Sequence, residues 1–137
     1  MIAKILWIAG SSIYIILAGL HLLYTFFTDK FLAKDRATVE AMKNTHPILT
    51  NRTTMWKAWI GFNGSHSSGG IFLGTINLLL ALFYFPFLSG ATPLIILTVI
   101  TSLFYLFLAI KYWFKVPLAG IALATACYSI AAVLILM

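Results

Sequence analysis

Acid is scarce in this sequence. Three Asp+Glu stand against nine Lys+Arg in 137 residues. The acids are Asp29, Asp35 and Glu40, and all three lie outside the apolar runs. No carboxylate proton relay or carboxylate-lined ion path can therefore form within a spanning segment. A carboxylate-bridged di-iron site within one chain is excluded for the same reason. A Ser-His pair has no acid to orient it as a triad, which argues against an enzyme. Cysteine is also scarce: the single Cys127 excludes an internal disulfide and any cysteine-based metal cluster. It reads as a small residue in an apolar run. Charge of either sign is low, at 9% of residues, where soluble domains carry roughly 25%.

What is abundant is apolar surface. Hydrophobic residues make up 62% of the chain, and the mean hydropathy is +1.02. A chain this short cannot bury so much apolar surface in water, and disorder needs the opposite composition. The sequence therefore predicts an integral membrane protein.

Four apolar runs organise it, at residues 5–27, 58–85, 92–110 and 116–137. Each matches the roughly 20 residues that cross a bilayer as a helix. Helices are expected because an open strand in lipid would leave its backbone unbonded. Pro86 and Ser89-Gly90 are expected to end the second helix in a turn at 86–91. Pro93 and Pro117 fall where the first turns of the third and fourth helices should be. The first run is too long for a signal-peptide core, lacks a clean cleavage site and reads as a retained helix. No lipidation motif is evident at either end. The expected fold is an all-α, four-transmembrane-helix bundle forming one domain over residues 1–137.

The charges orient it. Lys30, Lys34, Arg36, Lys43, Arg52, Lys57, Lys111 and Lys115 fall on one side, and only Lys4 on the other. The positive-inside rule makes the 28–57 loop cytoplasmic, with both termini outside, in an inner membrane. The basic excess thus meets anionic lipid heads, with no need of nucleic acid. Within that loop, residues 29–43 are expected to form a short amphipathic helix on the membrane surface. The tract Asn44-Thr45-His46-Pro47 reads as a turn, and His46 as a surface histidine.

Helical spacing gives each run an inward stripe. The first holds Tyr14, Ala18, His21 and Thr25, with Tyr24 close by. The second holds Asn63, His66, Gly70 and Asn77 and reaches Tyr84. The third holds Thr98, Ser102, Tyr105 and Tyr112, and the fourth Gly120, Ala124 and Tyr128. Tyr24, Trp56, Trp59, Tyr112 and Trp113 read as an aromatic belt at the cytoplasmic boundary rather than a ligand cage. His21 and His66, on antiparallel neighbours, are expected at one depth, roughly 9–12 Å inside that boundary.

The richest segment is Gly61-Phe62-Asn63-Gly64-Ser65-His66-Ser67-Ser68-Gly69-Gly70. Glycine and serine let another helix come close, and Gly70 with Gly74 forms a small-xxx-small pair. Polar groups within a span are functional candidates. The neighbours Ser65, His66 and Ser67 point to different faces, and the stretch lacks the spacing and lysine of a phosphate-binding loop. The expected site joins His21, Asn63, His66 and Ser67, with Ser65 in the motif and Tyr24 and Tyr105 on the wall.

Three functions are compatible with it. The leading one is an accessory or structural subunit in a larger membrane complex or homo-oligomer, its histidines serving as interhelical hydrogen bonds. The second is a binder of an amphipathic ligand such as a quinone or lipid. The third is a b-type haem protein with His21 and His66 as axial ligands, and Arg52 or Lys57 near the propionates. No cofactor is required by the first.

The Gly61-Phe62-Asn63-Gly64-Ser65-His66-Ser67 stretch resembles the GFNxSHS-type motif of a family of small bacterial four-helix integral membrane proteins. In them the motif follows a Trp-rich entry to the second helix, here Trp56 and Trp59. The resemblance extends over the whole chain and, more distantly, to DoxX-like four-helix proteins. It implies no activity, and marks only Asn63, Ser65, His66 and Ser67 as positions of interest.

Overall fold

The computed structural model describes residues 1–137. It is all-helical, in the order α1 (Ile2–Phe27), α2 (Arg36–Asn44), α3 (Met55–Phe83), α4 (Phe85–Gly90), α5 (Thr92–Tyr112) and α6 (Lys115–Leu136). The helices α1, α3, α5 and α6 are each long and apolar enough to cross a membrane. The chain is a multi-pass membrane protein of four spanning helices.

Proline explains the helix starts. It has no N–H to lose in a first turn, where that donor is unpaired anyway. It occupies the first turn of α4 and of α5, and Pro117 lies just inside α6. Pro86 therefore does more than close α3. The backbone breaks at Tyr84 (φ −131°, ψ 33°) and restarts as α4, where the sequence suggested only a turn. Tyr84 stands 61% exposed in that break and Tyr112 is 66% exposed at the end of α5. Both fall outside the inward stripes that the spacing extended to them.

The short helix α2 begins later than its amphipathic pattern suggests, because Asp35 caps it. The carboxylate accepts from the N–H groups of Ala37 at 3.1 Å and Thr38 at 3.2 Å and from the Thr38 hydroxyl at 2.9 Å. The Thr38 hydroxyl and then the Ala37 N–H hold the Asp35 carboxyl below its ordinary value. Lys43 and Glu40 form an exposed pair at 2.8 Å, a type that contributes little.

The chain divides into two compact units, Met1–Leu17 with Gly70–Met137, and Ala18–Gly69. The first draws on all four spanning helices. Its core includes Trp7, Tyr14, Ala81, Leu88, Ile95, Ala124 and Tyr128. Lipid offers no hydrophobic drive for helix association, so close packing and interhelical hydrogen bonds must supply it. Both are present. The Asn77 side-chain oxygen accepts from the Trp7 indole N–H at 3.0 Å and the Thr98 hydroxyl at 3.1 Å. One amide thus joins α1, α3 and α5.

A second set ties α1, α5 and α6. Thr125 donates to the Ser102 carbonyl at 3.3 Å, so its oxygen must accept from the Ser102 hydroxyl at 2.8 Å. Ser102 in turn accepts from the Tyr14 hydroxyl at 2.9 Å. Ser11 gives its proton to the Trp7 carbonyl at 2.7 Å and so accepts from Tyr128 at 3.0 Å. No buried side-chain nitrogen or oxygen lacks a partner. Aromatic edges fill the space between: Trp7 meets Tyr128 at 5.0 Å and 65°, and Tyr14 meets Tyr105 at 5.6 Å and 88°.

Among the glycines, Gly74 lies closest to the backbone of another helix. A Cβ there would stand 2.8 Å from the Ser11 carbonyl oxygen and 3.0 Å from the Ile15 nitrogen. Backbone cannot rotate away as a side chain can. At Gly90 a Cβ would meet nothing within 4 Å. Gly74→Ala should therefore lower stability by about 1–3 kcal/mol, the usual range for overpacking, and Gly90→Ala should not. Detergent-denaturant unfolding followed by circular dichroism reads the difference. Equal unfolding midpoints for the two variants would refute the close approach.

Candidate functional site

The second unit is built from the end of α1, the loop carrying α2, and the start of α3. The structure brings His21 and His66 together: their rings meet edge to face, with centroids 5.6 Å apart at 71°. His21 is fixed more firmly than this contact alone requires. Its Nε2 lies 2.9 Å from Asn63 Oδ1. The Asn63 amide nitrogen donates to the Trp59 carbonyl at 2.9 Å, which sets the amide's orientation. Oδ1 can only accept, so His21 carries its proton on Nε2.

The helix backbones reinforce the pair. Ser67 is 1% exposed and donates to the Asn63 carbonyl at 2.7 Å. Thr25 donates to the His21 carbonyl at 2.8 Å. On another side of His21 lies Phe31, with ring centroids 4.4 Å apart at 37°. Sequence spacing did not identify Phe31, because it comes from the loop, where helical periodicity gives no guide. Gly64 leaves room for Phe26, whose ring would come within 3.1 Å of a Cβ there.

The remaining expected residues make contacts of their own. Ser65 is exposed and donates to the Phe62 carbonyl at 3.1 Å. Tyr24 carries the Lys30 ammonium over its ring at 3.9 Å and faces Phe31 at 6.4 Å. Tyr105 belongs to the first unit, where it packs edge-on against Tyr14 and against Trp113 at 6.4 Å. His46 is exposed, and its Nδ1–H donates to the Thr53 carbonyl at 2.7 Å. With the Met55 N–H bonded to the Thr45 carbonyl at 2.9 Å, it closes the loop ahead of α3.

Chemically, the cluster is an imidazole–amide pair with a second imidazole on its edge. Hydrogen bonding and packing are within its reach. No group of three or more His, Cys, Asp or Glu residues is placed to hold a metal ion. Compared with known protein families, curated proteins and solved structures, the chain matches none.

Asn63→Leu removes the acceptor and leaves the His21 N–H to an apolar neighbour. Membrane hydrogen bonds average about 0.6 kcal/mol with a maximum near 1.7, so a loss of about 1 kcal/mol is expected. Nitrogen NMR of labelled histidine should show His21 as the Nε2–H tautomer in the native chain and a mixture in the variant. A native His21 protonated on Nδ1 alone would contradict the assignment.

Proposed function

We propose that this chain is an accessory subunit of a bacterial inner-membrane complex, held to its partner by the outer face of α3. One observation carries the reading. Gly61, Ser65, Ser68 and Gly69 are exposed on α3, and helical spacing puts them on one side of it. A Cβ at Gly61 would meet nothing within 4 Å. Ser65 and Ser68 return their protons to their own helix, at the carbonyls of Phe62 (3.1 Å) and Gly64 (2.9 Å). The result is a shallow face of small residues within a spanning helix.

Past residue 69 the same side of α3 turns bulky with Phe72 and Phe83, and α5 exposes Phe104 and Ile110, surface that suits lipid chains. A face of glycine and serine suits the backbone of another spanning helix. The other polar groups support the same conclusion. His21 spends its Nε2–H on Asn63, so a haem iron or a quinone oxygen at that nitrogen would have to break an existing bond. The basic loop supports a cytoplasmic setting for residues 28–57 by the positive-inside rule.

Ser65→Leu and Gly61→Leu should each release the partner during mild-detergent purification, while Phe104→Leu, on an ordinary bulky face, should retain it. Blue native electrophoresis reads the shift from complex to free chain. An unshifted chain, or the same assembly in all three variants, would overturn the reading. For topology, a cysteine placed at exposed Ile48 in a Cys127→Ala chain should react with an impermeant maleimide only after the cells are opened. Labelling in intact cells would place the loop outside.

A further inference from the structure

The second unit also contains a cavity of about 260 Å3 where the spanning helices meet the loop, lined by Phe26, Asp29, Phe31, Trp56 and Trp59 among others. It stands apart from the α3 face proposed above. We infer that this cavity binds an organic ammonium cation, the class that includes choline and methylated amine head groups, with Asp29 as its counter-charge and the two tryptophans as its walls.

Three observations carry this. The first is the lining. Aromatic faces attract cations, tryptophan most strongly, and aromatic cages are a recurrent means of holding quaternary ammonium groups. Four of the residues named are aromatic.

The second is the state of Asp29. Of the three acids, Glu40 is paired with Lys43 at 2.8 Å and Asp35 caps α2. Asp29 makes no ion pair, although the loop is rich in lysine and arginine. Its nearest candidate in sequence, Lys30, places its ammonium over Tyr24 at 3.9 Å instead. Asp29, exposed and among the lining residues of the cavity, thus has no basic partner within the chain and is open to a cation supplied from outside.

The third is size. Cavities that take whole drug-sized ligands span roughly 300–1,000 Å3. This one falls just below, and suits a head group rather than a long body. A quaternary ammonium also needs no hydrogen-bond acceptor for each of its bonds, so one acid and four aromatic residues, set beside Thr25 and Thr28, are enough to line its site.

The test uses radiolabelled choline and the full-length chain in a non-ionic detergent, read by scintillation proximity. Saturable binding of one choline per chain is expected. Asp29→Asn and Trp59→Leu should each weaken it at least tenfold. Asp35→Asn removes the same charge from the same loop yet keeps a good capping residue, and should bind as the native chain does. Nanodiscs then separate the sources. Weaker choline binding in phosphatidylcholine discs than in phosphatidylglycerol discs identifies a lipid head group as the occupant. Equal binding in both identifies a free amine. Absence of saturable binding to the native chain would overturn the proposal. So would equal affinity in Asp29→Asn and Asp35→Asn, because Asp29→Asn leaves no internal bond unmade and should fold.

Discussion

The Asn77 side-chain oxygen is the point on which the spanning helices depend. It takes one proton from α1 and one from α5 while rooted in α3. A polar side chain in hydrocarbon finds no water, so its bonds must come from other helices or from its own backbone. The Asn77 amide uses both, since its nitrogen donates to the Leu73 carbonyl at 3.0 Å. A single residue thereby sets the relative rotation of three helices. Hydroxyl pairs then add α6 through Ser102 and Thr125 and through Ser11 and Tyr128.

Polar residues inside a span are read first as machinery, yet in the four-helix unit they serve as fasteners. No buried side-chain donor there lacks a partner, and small residues let the backbones approach as far as the bonds require. The second unit applies the same rule to different groups. An imidazole and an amide hold α1 and α3 together, and loop aromatics pack against the imidazole. The chemistry left over is modest: a smooth face on α3, and one loop carboxylate without an ion pair. The α3 face and Asp29 are both exposed.

Much of the architecture was legible beforehand because it follows from bulk properties. Four long apolar runs with proline at their starts leave little freedom, and the helix limits fall within a few residues of the expected ones. The depth argument for His21 and His66 also rested on geometry that helices obey. Ser65 shows the limits of a motif. Its 100° offset from His66 already directed it away, as the exposed position confirms, yet its place in the polar stretch drew it into the expected site. Phe31 and Asp29 were not legible at all. Both lie in a loop, where position depends on turns and caps such as the one at Asp35, not on a repeating angle. Trp7 escaped notice because an indole in an apolar run looks like any other large residue until its N–H finds Asn77.

The hydroxyl string from Tyr14 through Ser102 to Thr125 has one more property. Each oxygen passes its hydrogen the same way, and the last hands it to the carbonyl of Ser102 itself. A peptide oxygen has no hydrogen to pass on, so the string is a cul-de-sac. Hop-and-turn conduction needs every link to reverse, and here the terminal link cannot. The three hydroxyls thus fasten α1, α5 and α6 to one another and relay nothing onward by themselves.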